Sequence, residues 1–212
     1  MRILGVDPGS RLTGYGCVDL VGNQVQYVAS GTFKLLAPGK TAQDDQDQET
    51  MPARLLTLHE ALGGVIQRLR PQVLVVEKVF FAKNAMSALK LGQARGVVLL
   101  SAAAHSLKLA EYSPTEVKQS IAGSGRADKV DVARALQLLF GPKDFESWDA
   151  SDGLALAVCH AHRSVQNILA RSLAGASSLR SGSKRRPTIA ESLGFGGAYG
   201  GRFDSERKVK RR

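Results

Sequence analysis

Cysteine is scarce in this sequence: Cys17 and Cys159 are the only two among 212 residues. Both lie in apolar runs, and neither has a Cys or His partner at a zinc-ligand spacing. A disulfide framework and a zinc site are therefore excluded as organising features. Long apolar runs are also missing. None approaches the roughly 20 residues that a membrane-spanning helix requires, and a hydrophobic fraction of 43% suits an ordinary globular chain. The N-terminus, "MRILGVD", shows no charged segment, apolar stretch and small-residue cleavage site in succession, so a cytoplasmic protein is expected. Internal repeats are absent too.

Acids are outnumbered, with 19 Asp and Glu against 29 Lys and Arg and a net charge of +10. The excess is concentrated at one end. Residues 171–212 hold eleven Lys and Arg against three acids, Glu191, Asp204 and Glu206, which leaves only +2 for the first 170 residues. That segment is rich in Gly, Ser and Arg and poor in aliphatics, so it cannot bury enough apolar surface to offset the entropy of ordering. The expected organisation is one structured domain over 1–170 and a disordered basic tail over 171–212. The tail suits nonspecific contact with polyanions or simple solvation. A second low-complexity piece, "TAQDDQDQET" at 41–50, reads as an acidic loop between structured regions.

The structured part opens with three β-rich segments, "RILGVDPG", "LTGYGCVDLVG" and "QVQYVASGTFKLL", joined by short Gly or Asn turns like antiparallel neighbours. Leu55, Leu58, Leu62, Val65, Ile66 and Leu69 then recur at helical spacing, and Pro71 ends that helix. "QVLVVEKV" is continuously apolar, the pattern of a strand buried on both faces and parallel to its neighbour across a helical crossover. Residues 84–107 form a helix that is apolar or small around most of its circumference. It must be covered on two sides, by its own sheet and by a second protein surface, and Val98 stands midway along it. A short strand, "KLAEYSP", and helices over 115–121, 129–140 and 149–167 complete the chain. The order β-β-β-α-β-α-β-α-α-α predicts an α/β fold with a five-stranded mixed sheet flanked by helices.

Two apolar strands end on an acid: "ILGVD" on Asp7 and "VLVVE" on Glu77. If they are parallel neighbours, both carboxylates emerge at the same end of the sheet, where sites in open α/β sheets lie. There they repel each other unless one is protonated or a cation sits between them. Asp7 alone also fits the start of a turn into Pro8-Gly9. Asp149 and Asp152, three apart at the start of a helix, share a face; they fit a capping pair as well as a ligand pair. Four acids beside apolar elements in a slightly basic core are accounted for together by carboxylate-bound Mg²⁺. Two such ions roughly 3.5–4 Å apart activate a water and stabilise the leaving oxygen of a phosphodiester.

"GVDPGSRLTGYG", "EKVFFAKNAMSALKLGQARG", "VKQSIAGSGRADK" and "DASDGLALAVCHAH", in this order, resemble the RuvC family of Holliday junction resolvases over residues 1 to about 167. The resemblance implies an RNase H-like fold, a two-fold homodimer and Mg²⁺-dependent paired nicking of four-way DNA junctions in recombination and repair, with Mn²⁺ able to substitute. It also implies association with the RuvA–RuvB branch-migration complex. By motif position it implies Asp7, Glu77, Asp149 and Asp152 as catalytic metal ligands, Phe80 as a side chain stacking on an unpaired base, and Lys118 and Lys129 as DNA contacts near the scissile bond. The acidic loop at 41–50 and the basic tail depart from the family's pattern, and the resemblance implies nothing about either.

From the residues alone, Phe80 equally suits core packing beside its aromatic neighbour. A lone Lys equally suits solvated surface, although the Gly-rich centre of "VKQSIAGSGRADK" lets backbone approach phosphate. Lys83, Lys90 and Arg95 are weaker DNA candidates. His160 and His162, two apart on a helix, point to different sides and do not form a joint metal site. Two other functions compete. A phosphotransferase of the actin and sugar-kinase type would share the "DPGSRLTGYG" loop, but it needs a second similar domain and a second Asp-Gly loop. A non-cutting junction binder would carry fewer acids near phosphates.

Overall fold

The computed structural model describes residues 1–35, 50–78, 85–141 and 148–180, without the side chains of Thr50, Trp148 and 173–180. Its elements are β1 (Arg2–Asp7), β2 (Leu12–Val21), β3 (Gln24–Lys34), α1 (Thr50–Leu69), β4 (Val73–Glu77), α2 (Ala85–Ala104), β5 (Lys108–Tyr112), α3 (Pro114–Ala122), α4 (Lys129–Phe140) and α5 (Trp148–Arg180). The sheet order is β3-β2-β1-β4-β5. β1 to β3 pair as an antiparallel meander, while β1, β4 and β5 run parallel. The order and the mixed sheet are those read from the sequence.

The two apolar central strands are double-sided because each face meets helices. On one face Leu4, Val6, Leu74 and Val76 pack with Leu58, Leu62, Val65, Ile66 and Leu69 of α1 and with Ala94, Val98 and Ala102 of α2. On the other, Ile3, Val73 and Val75 meet Val117 of α3, Val132 and Leu136 of α4, and residues 154–161 of α5. Alternate residues of one strand thus feed separate cores, and this explains why the strands lack the polar alternation of a half-exposed sheet. Both cysteines are free and buried, one in each core.

Element ends follow local chemistry. α1 stops where Arg70, ahead of Pro71, takes a positive φ of 51°, since proline disfavours helical geometry in the residue before it. α3 begins with a capping box: the Ser113 hydroxyl accepts from the Glu116 amide, and the Glu116 carboxylate accepts from the Ser113 amide. α4 uses Asp128 and Asp131 in the same way.

Val98 is fully buried in its own core and is not part of an outward stripe. That stripe carries Met86, Leu89 and Leu100, each more than half exposed, with Gly92, Gly96 and Ala103 also on the surface. One compact unit spans Met1–Ala170, and α5 continues as helix to Arg180, where Ala, Leu and Arg make up more than half of the residues. Residues 181–212 and the acidic loop up to 49 lie outside the described residues. Among the described residues no helix is long and apolar enough to cross a membrane.

Candidate active site

Strand pairing brings the first two acids together. Val6 of β1 lies opposite Val76 of the parallel β4, so the next residues, Asp7 and Glu77, leave adjacent strands at the same sheet end. α5 lies on β1 and β2 with Asp149 in its first turn and Asp152 three residues on. Asp7, Glu77 and Asp152 line one cavity of about 260 Å³, together with Lys118 of α3, Lys129 of α4 and the apolar wall of Pro114, Val117, Val132, Ala155 and Leu156. Asp149 is not part of the cavity wall, but its charge acts on Asp7.

The electrostatics are those of crowded acids with too few cations. Burial, then repulsion from Glu77, Asp152 and Asp149, pushes the Asp7 carboxyl up to about 7, while Lys129 opposes the rise. Burial and Asp152 also raise Glu77, against Lys129 and Lys118. Lys129 Nζ donates to Asp152 Oδ2 at 2.9 Å, and that hydrogen bond raises the Lys129 pKa. Asp152 thus has Lys129 of α4 as a partner, and Asp149 lies in the first turn of α5.

The turn alternative for Asp7 also meets a competitor. The amide two residues on, Gly9 N, donates to Thr13 Oγ1 at 3.2 Å, and the same hydroxyl donates to Gly9 O. Thr13 is fully buried, so the loop after Asp7 is held by Thr13.

Among the described residues no three His, Cys, Asp or Glu side chains form a ready-made metal cage. The donor set nonetheless fits a hard divalent cation: carboxylate oxygens only, mutually repelling, beside a cavity large enough for retained waters. A cation between Asp7 and Glu77 would remove the repulsion that raises both pKa values.

Phe80 and Lys83 lie outside the described residues. Arg95 forms an ion pair with Glu111 of β5, which ties α2 to the sheet edge. His160 bonds Tyr112 Oη at 2.9 Å and burial lowers its pKa; His162 meets Ser120. The two histidines thus have separate partners, as their spacing suggested. Sequence reasoning missed Thr13, whose signal was a polar residue within a buried strand start, and the apolar wall contributed by α3 and α4.

A mixed sheet with acids at the ends of two adjacent parallel strands and on the helix laid across them is an RNase H-like nuclease fold. The family model "Crossover junction endodeoxyribonuclease RuvC" matches residues 3–160, and the chain belongs to that family. Relatives include the RuvC proteins of Shewanella pealeana, 44% identical over 84% of this chain and 95% of theirs, and of Nitrobacter hamburgensis, 39% identical over 82% and 97%. Among solved structures, Thermus thermophilus RuvC in complex with a Holliday junction substrate superposes with a TM-score of 0.67 at 29% identity, over 79% of this chain and 96% of that one. The yeast mitochondrial Holliday junction resolvase, at 15% identity and TM-score 0.52, shares the fold. Family membership sets aside the phosphotransferase reading.

Proposed function

We propose that this chain is a cytoplasmic Mg²⁺-dependent endonuclease that resolves four-way DNA junctions by paired nicks. The observation that supports it most is the grouping of Asp7, Glu77 and Asp152 around one cavity, with Asp149 beside it and Lys118 and Lys129 on the rim. The four acids would hold two Mg²⁺ ions, or Mn²⁺, and the ions would supply an activated water and charge stabilisation at the leaving oxygen. The chain's own groups do the rest. Lys118 and Lys129 attract and orient the phosphate, the wall of Val117, Val132 and Leu156 limits water, and Phe80 stacks on an unpaired base at the crossover.

Paired nicks require two sites facing opposite strands, and a two-fold homodimer supplies them. The outward stripe of Met86, Leu89 and Leu100 on α2 is the proposed contact. The RuvA–RuvB complex is the proposed partner that moves the branch point, and the basic tail adds nonspecific attraction to DNA. The test is incubation of a synthetic four-way junction with Mg²⁺ or with EDTA, followed by strand mapping. Symmetrical nicks across the junction with Mg²⁺ alone are expected. Intact junctions under both conditions, with binding retained, would show a binder that does not cut.

A further inference from the structure

The face of the sheet that carries α5 is unusually bare. Gly5, Gly14 and Gly16 interrupt β1 and β2, although glycine weakens a strand. None of the three has a positive φ, so conformational freedom does not explain them. Space does. A Cβ on Gly5 would meet Gly153 O at 2.1 Å, one on Gly16 the Leu154 Cα at 2.2 Å, and one on Gly14 the Asp149 carbonyl oxygen at 1.8 Å. From the helix side, a Cβ on Gly153 would meet the Tyr15 Cα at 2.7 Å. Helix backbone and strand backbone are in direct contact.

The Gly14 contact differs from the others in what it connects. Gly14 is the cross-strand partner of Asp7, and it lies beneath the residue that begins the Asp149–Asp152 pair. We propose that Gly14 is a positioning residue: its missing side chain lets the first turn of α5 settle on β2 and sets Asp149 and Asp152 at their working distance from Asp7. With alanine there, the Asp149 carbonyl would have to retreat by about 1.6 Å to reach ordinary contact at 3.4 Å. Gly5 and Gly16 meet the helix about one turn further on, at Gly153 and Leu154, whereas Gly14 meets the backbone of an acid itself. This proposal rests on the reading of the four acids as one metal-holding site.

The experiment compares wild type, Gly14→Ala, Gly153→Ala and Gly31→Ala. The last is a strand glycine whose Cβ would press on the far end of the Tyr15 ring at 2.9 Å rather than on α5, so it is the control for filling a strand glycine away from the helix. Two quantities are read: the MgCl₂ concentration that half-saturates the rise in Tm without DNA, and kcat and KM on a four-way junction. For Gly14→Ala the half-saturating Mg²⁺ concentration should rise about tenfold or more, as when a group that orients metal ligands is lost. Its kcat should fall about a hundredfold, as for a reacting group misplaced by about 1 Å, with KM unchanged. Gly153→Ala should move both readouts the same way by less, and it carries the test if Gly14→Ala does not fold. Gly31→Ala should lower Tm and move neither. If wild type responds to Mg²⁺ and the two seat variants respond identically at lower Tm, the proposal is overturned. A wild type whose Tm ignores Mg²⁺ overturns the metal reading and this proposal with it.

Discussion

Lys129 Nζ stands 2.9 Å from Asp152 Oδ2, bridging α4 and α5 at the rim of a cavity that also holds Asp7 and Glu77. The lysine is two-thirds exposed at its side chain, so the pair adds little to stability. Its effect is on charge: Lys129 opposes the rise in the pKa of Asp7 and Glu77 and partly offsets four acids at one end of the sheet.

The remaining imbalance predicts a pH dependence. Burial and the neighbouring carboxylates push the Asp7 carboxyl up to about 7 in the folded protein, against about 3.9 in an unfolded chain. The folded state therefore binds the proton more tightly, and this contribution is fully present at low pH and is lost as pH rises through about 7. In EDTA, Asp7→Asn should melt above wild type at pH 8, and the difference should shrink towards pH 4. Thermal melts across that range check it; an Asp7→Asn variant less stable than wild type at pH 8 would contradict the electrostatic account.

Thr13→Val keeps the shape of a fully buried side chain but deprives Gly9 of both hydrogen bonds. A cost of about 1 kcal/mol is expected, the usual net worth of a hydrogen bond, because Gly9 is only partly buried and water replaces part of what is lost. Urea denaturation measures it, and an unchanged midpoint would mean that the loop after Asp7 is held by something else.

On α2 the direction of each side chain decides the outcome. Leu100→Glu, on the exposed stripe, should leave a folded protein that scatters light as a monomer, whereas Val98→Glu buries a charge in the core and should prevent folding. A wild type that is monomeric at micromolar concentration, with junction DNA present, would rule out the dimer.

Phe80→Ala should reduce turnover on junctions by an amount equivalent to about 1–3 kcal/mol, the usual loss of one base-aromatic contact. Folding should change little. If denaturant melts instead show a loss of about 3–5 kcal/mol, Phe80 is a core residue.

The legible part of the fold is the part encoded locally. The α4 range of 129–140 is the one expected from the sequence, and the parallel pairing that joins Asp7 to Glu77 follows from two apolar strands with the same ending. What could not be read depends on contacts distant in sequence. α2 is apolar nearly all round, so its pattern does not tell that Val98 faces inward and Leu100 outward. Gly14 looks like a weak point in a strand until α5, more than a hundred residues later, is laid on it. Asp152 looks like half of a capping pair until α4 brings Lys129 to it.

The central claim is that the four acids act as one site, and single-turnover cleavage of a four-way junction by Asp7→Asn, Glu77→Gln, Asp149→Asn and Asp152→Asn tests it most directly. Each change removes one charge at nearly constant volume, so each variant should bind the junction at least as tightly as wild type. Each should also lose about a thousandfold or more in nicking rate, as expected when one member of a unit that works together is removed. If any one of the four cuts at the wild-type rate, that residue is not part of the site and the account is wrong there.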